Sequence, residues 1–117
     1  MDENLGSVSV APEVLLDVVR LTALATQGVA RLSNHHPSSF SRLFTGKAAE
    51  GIRLQIEDSA VSIDLFIVAE PEAQMLQLGQ TLQREISRAI HDLVGMPVKE
   101  INVRIEDVAN RLAQTVE

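Results

Sequence analysis

From Val61 to Glu70 the residues alternate without a break. Val61, Ile63, Leu65, Ile67 and Ala69 fall on one side, and Ser62, Asp64, Phe66, Val68 and Glu70 on the other, the period-two pattern of a strand. The first side is wholly apolar and must lie on a core. The second begins polar and turns apolar at Phe66 and Val68, so its far end calls for a cover. This stretch is expected to be the central strand.

Gly51 to Glu57 alternates in the same way, with Ile52, Leu54 and Ile56 against Arg53, Gln55 and Glu57. A tight turn at Asp58-Ser59 joins the two stretches into a hairpin. Counting outwards from the turn pairs Ile56 with Val61, Leu54 with Ile63 and Ile52 with Leu65, all on one face. The same count sets Arg53 beside Asp64 as a cross-strand ion pair on the face away from the core.

Helical spacing appears twice. Ser7 to Val10 reads as a short extended piece leading to Pro12 and Glu13, a helix start. That helix is expected to run to about Gln27, with Val14, Leu15, Val18, Val19, Leu21 and Ala25 as its apolar face and Gly28 as its cap. Gly28 to Ser33 then reads as a short strand. Asn34 to Glu50 reads as a loop, within which Phe40, Leu43 and Phe44 have the spacing of a helical turn. Pro71 and Glu72 open a second helix that runs to about Val94, with Met75, Leu78, Leu82, Ile86, Ile90 and Leu93 down one side. Arg88 and Asp92 form an i, i+4 pair on it, and Gly95 and Pro97 stop it. Val98 to Glu106 is the last strand, with Lys99, Ile101, Val103 and Ile105 on one face against Glu100, Asn102, Arg104 and Glu106, and Asp107 to Glu117 is a tail with the makings of a short helix.

The expected order is β-α-β-β-β-α-β. Strands with one polar face each belong to a sheet covered on a single side. The fold class is therefore α+β, a two-layer domain with a mixed or antiparallel sheet and two main helices on one face. One domain is expected to span residues 1–117, with its core at about 7–107 and tails at 1–6 and 108–117.

Composition narrows the functional classes. The chain has 117 residues, 45% hydrophobic and 22% charged, so it can fill a two-layer core. A net charge of −6 argues against nucleic acid as partner. With no cysteine, thiolate chemistry and thiolate metal sites are excluded. No apolar run reaches the ~18 residues of a membrane-spanning helix, so no direct membrane insertion is expected. The acidic start, Met-Asp-Glu-Asn, is unlike a secretory signal and points to the cytoplasm.

Candidate chemistry is thin. His35 and His36 lack the third and fourth donors that a metal shell requires. Glu57-Asp58 and Glu70-x-Glu72 fall in turns, where carboxylates are solvated. Gly46-Lys47 is too little to hold a phosphate, and Arg84 and Arg88 have Glu85 and Asp92 beside them. No nucleophile elbow or dinucleotide fingerprint occurs. The expectation is no catalytic residue, no cofactor and no metal.

Val8-Ser-Val-Ala-Pro-Glu-Val14 before a helix, Gly28-Val-Ala30, Gly51-Ile-Arg-Leu and Val61-Ser-Ile-Asp-Leu-Phe-Ile-Val68 together resemble the alkaline-shock-protein family. The closing Val98-Lys-Glu-Ile-Asn-Val-Arg-Ile105 is similar to it too, so the likeness runs from about Ser7 to Asp107. The resemblance implies a bacterial, cytoplasmic protein of envelope or alkaline stress response. It implies a non-enzymatic scaffold that self-associates and gathers near the membrane through a membrane-anchored protein partner. The residues themselves allow two covers for Phe66 and Val68: the Phe40-Leu43-Phe44 turn folding back over them, or another subunit. Self-association through this sheet face or its edge is the expectation, with Phe66, Val68, Phe40, Leu43 and Phe44 as the candidate interaction residues. The competing reading is a small-molecule or nucleic-acid binding module on the open sheet face, for which Arg31, Arg53 and Arg104 would line the pocket.

Overall fold

The computed structural model of the chain describes residues 5–34 and 46–109. Its elements are helix α1 (Pro12–Ala25), strands β1 (Val29–Leu32), β2 (Lys47–Ala49), β3 (Ile52–Glu57) and β4 (Ala60–Ala69), helix α2 (Met75–Ala89) and strand β5 (Val98–Val108). All five strands form one sheet. The architecture is the expected α+β arrangement, with α1 and α2 packed on one face of the sheet through Leu15, Val19, Leu82, Ile86 and Ile90.

β4 organises the sheet because both of its edges are fully used. The N–H and C=O of any one strand residue point to the same edge, and those of Phe66 bond Gly51 C=O and Ser33 N–H, each at 2.8 Å. β3 and β1 therefore lie end to end along one edge of β4, both antiparallel to it. β5 runs parallel along the other edge. The hairpin pairs are Ile56 with Val61, Leu54 with Ile63 and Ile52 with Leu65, as counted from the turn. At that turn both Asp58 (φ 52) and Ser59 (φ 65) are left-handed, which suits the twist of a two-residue hairpin.

Several elements differ from the sequence expectation. Ser7 to Val10 is no strand; it pairs with no strand among the described residues, and Val8 and Val10 are exposed. A four-residue alternation is too short to specify pairing by itself. Lys47–Ala49, expected as loop, is a strand because its backbone completes the outer edge of β3, an order that three residues of low β propensity do not announce. α1 stops at Ala25 and buries Leu15, Leu16, Val19 and Ala23, leaving Val14, Leu21 and Ala25 exposed. Its apolar surface is broad, bounded by the polar stripe of Glu13, Asp17 and Arg20, so periodicity does not say which part of it meets the core.

α2 begins at Met75 rather than Pro71. Pro71 occupies the second position of a turn closed by Ala73 N–H to Glu70 C=O, 3.1 Å, where proline's fixed φ is favoured. The helix's last turn widens into a π-helix over Ile90–Val94, ending at a left-handed Gly95 whose N–H bonds Ile90 C=O at 3.0 Å. The extra residue shifts the stripe. Leu93 is 74% exposed, and Val94 packs against the core in its place. Asp92 is likewise carried to His91 (3.1 Å), while Arg88 meets Glu85 (3.9 Å) rather than Asp92.

β5 carries bulges that interrupt its register between Val98 and Glu100 and between Ile105 and Asp107. The first turns Lys99 out to solvent and sets Val98 against the core instead, while Ile101, Val103 and Ile105 face inwards as the pattern implied.

Candidate functional site

The outer face of the sheet, away from the helices, carries a polar row across three strands. Arg53 on β3, Asp64 on β4 and Asn102 on β5 stand side by side in the register. Arg53 Nη2 lies 3.4 Å from Asp64 Oδ2, and Asn102 Nδ2 donates to Asp64 Oδ1 at 2.9 Å. The pair is partly enclosed, the Arg53 and Asp64 side chains being 16% and 34% exposed. The Arg53 guanidinium also sits over the Phe66 ring, 5.2 Å from its centroid, within cation–π range. One arginine thus ties the polar half of the face to the apolar half.

Phe66 and Val68 are 6% and 3% exposed within the single chain. They have the cover that the alternation called for, so they present little free apolar surface. Phe40, Leu43 and Phe44, and with them His35 and His36, lie outside the described residues.

The three arginines of the binding-module reading all fall on this outer face, at the register of Asp64, Phe66 and Val68. Two of the three are held by carboxylates. Arg53 is engaged by Asp64, and Arg104 Nε lies 2.6 Å from Glu106 Oε2. Glu100 adds another carboxylate beside Asn102 at 3.4 Å.

The carboxylates singled out in the turns are exposed or at a rim. Glu57 meets Lys99 at 3.7 Å. Glu70 and Glu72 border a groove of about 610 Å³ between the end of α1 and the start of α2, shared with Gln27, Gln74 and Gln77. Arg84 meets Glu85 at 3.9 Å on the solvent side of α2, and Lys47 meets Glu13 at 3.9 Å. Among the described residues no three His, Asp or Glu side chains are grouped as a metal shell would need.

The feature that the sequence did not reveal is the free edge of β5. Phe66 points its backbone groups to β3 and β1, and Val61 N–H bonds Pro97 C=O on the β5 side at 3.0 Å. The odd residues of β4 therefore bond β5, and in a parallel ladder they take the N–H and C=O of Glu100, Asn102 and Arg104. Ile101, Val103 and Ile105 point theirs outwards. Gln83 Nε2 on α2 donates to Ile101 C=O at 3.0 Å. The outward groups of Val103 and Ile105 have no protein partner among the described residues. Beside this edge runs a groove of about 430 Å³ lined by Met75, Leu76, Gly79, Gln80, Gln83, Val103 and Ile105. Leu76 is 81% exposed there. Which strand ends a sheet is a non-local property, and Met75, expected on the core stripe, is 39% exposed beside this edge.

Comparison with known proteins agrees with the sequence resemblance. The profile of the alkaline shock protein 23 family, described as having a cell envelope-related function, matches residues 1–110. The uncharacterized protein YqhY of Bacillus subtilis is 24% identical over 106 residues, 89% of this chain and 78% of YqhY. Among solved structures, a zinc form of MamM CTD is similar with a TM-score of 0.52 at 14% identity, covering 86% of this chain and 89% of the other. A manganese form gives 0.51 at 13%, covering 83% and 99%. At such identities the likeness is one of fold.

Proposed function

The chain belongs to the alkaline shock protein 23 family, and from that premise we propose that it is a non-enzymatic scaffold of cell-envelope homeostasis. In this reading it works by self-association and is held near the membrane by a membrane-anchored protein partner. The family match over residues 1–110 carries the proposal. Two features support it. Arg53 and Arg104 on the outer face are met by carboxylates, which suits a structural role better than anion binding. A strand edge whose Val103 and Ile105 groups have no partner among the described residues, flanked by exposed apolar residues, is suited to protein contact. Among the described residues no helix is long and apolar enough to cross a membrane.

A fluorescent fusion in the native bacterium tests the envelope part. A signal at the cell periphery, lost when a membrane-anchored neighbour is deleted, is the expected outcome. An even distribution throughout the cell, under envelope or alkaline stress as well as without it, would remove the envelope role. A reproducible turnover of any substrate would remove the scaffold reading.

A further inference from the structure

We propose that β5 is the self-association surface, and that a second copy of this chain adds its own β5 antiparallel to it, across a twofold axis at Asn102. The proposal rests on the self-association reading above and gives it a place and a register.

The backbone supplies the first argument. Ile101, Val103 and Ile105 turn their N–H and C=O away from β4, and the Val103 and Ile105 groups have no partner among the described residues. Such an edge is a template for another strand. Natural edges are blunted by bulges and charge, and β5 has bulges only towards its ends, around Lys99 and Glu106. The stretch between them is regular and open.

Charge selects the occupant and the register. Edge-facing residues must pair with edge-facing residues, so the register moves in steps of two. A twofold axis at Val103 sets Glu100 opposite the other copy's Glu106. An axis at Arg104 sets two Arg104 side chains opposite each other. An axis at Asn102 sets Glu100 opposite Arg104 twice, with Asn102 facing Asn102. Opposite charges directly across an antiparallel pair are favourable and like charges are not. An axis at Ile105 also sets opposite charges across the pair, Arg104 against Glu106, but it falls on the bulge between Ile105 and Asp107. Within the regular stretch the Asn102 register is the self-complementary one, and a second copy fits it without any further partner.

The remaining contacts agree. In this register Ile101 exchanges both hydrogen bonds with the other copy's Val103, and their side chains meet on the helix side. There they extend the apolar layer over the groove that holds Met75, Leu76 and Gly79. A Cβ at Gly79 would meet nothing within 4 Å, so the incoming strand finds room. Gln83 need not leave, since the Ile101 carbonyl has two acceptor positions.

The test is light scattering on the full chain at a series of concentrations, using wild type, Glu100→Arg, Arg104→Glu and the double exchange. Within one chain these two residues are four apart on a strand, too far to touch, so rescue can come only from another copy. The expected result is an assembly of two or more wild-type chains. Each single reversal weakens it by about tenfold or more, and the double exchange returns it to within about threefold of wild type. Val103→Pro, which removes an edge-facing N–H at a position where an edge strand tolerates proline, is expected to give a folded monomer. A wild-type monomer at all concentrations would overturn both this interface and the self-association reading. Wild-type assembly that ignores both single reversals, or single defects that the double exchange fails to repair, would overturn the interface and leave self-association standing.

Discussion

Gly51 C=O accepts the Phe66 N–H at 2.8 Å, at the point where one edge of β4 passes from β3 to β1. Space there is exhausted. A Cβ on Gly51 would lie 2.8 Å from Leu32 Cβ and 2.9 Å from Phe66 O, and its φ of +76° disfavours a side chain in any case. Gly51→Ala is expected to destabilise by about 2–4 kcal/mol, adding backbone strain to crowding. Gly95→Ala is the control, since its φ is +84° but nothing lies within 4 Å, and about 1 kcal/mol is expected. Thermal melts of the two variants measure the difference; equal losses would mean that the strand junction is not tight.

Arg53 is expected to matter more than the acid it pairs with. Asp64→Asn keeps the shape and both neighbours but loses the charge, at about 1 kcal/mol. Arg53→Ala loses the ion pair and the contact over Phe66, and about 2 kcal/mol is expected. A double-mutant cycle in urea should return a coupling near 1 kcal/mol. Zero coupling would mean that the pair is proximity without interaction.

At the hairpin, Ser59 holds φ at 65°. Ser59→Gly removes that strain and should stabilise by about 0.5–1 kcal/mol. A shift in the urea midpoint, with unchanged slope, is the readout.

The π turn reverses what the helical stripe implies about Leu93 and Val94. Leu93→Ala should change stability by less than about 0.5 kcal/mol, as for other exposed sites. Val94→Ala should cost about 1 kcal/mol, because Val94 packs against the core. A continuous α-helix to Val94 would give the opposite ranking.

These residues also show where the sequence was legible. The β4 alternation and the Asp58-Ser59 turn were enough for the hairpin register and for the Arg53–Asp64 placement, because both are local periodicities. α1 was legible as a helix from Pro12, but which side of its broad apolar surface is buried was not, since Val14, Leu21 and Ala25 are as apolar as the residues that reach the core. The shift from Leu93 to Val94 escaped because a single inserted residue leaves no mark on the hydrophobic pattern. β2 and the open edge of β5 depend on which strands meet in space, which Lys47-Ala-Ala and the β5 alternation do not encode. Family membership was legible in the order of short segments such as Gly51-Ile-Arg-Leu, while a site of action was not, since no side chain there is chemically distinctive.

Amide hydrogen exchange along β5, read at high and low protein concentration, tests assembly through this edge most directly. Asn102 and Arg104 N–H groups, bonded to β4, should be protected at both concentrations. Ile101 and Val103 N–H groups face the open edge, and should be protected when the chain is concentrated and exchange freely when it is dilute. Ile101 and Val103 exchanging at the same rate at both concentrations, while the mass of the particle rises, would contradict it.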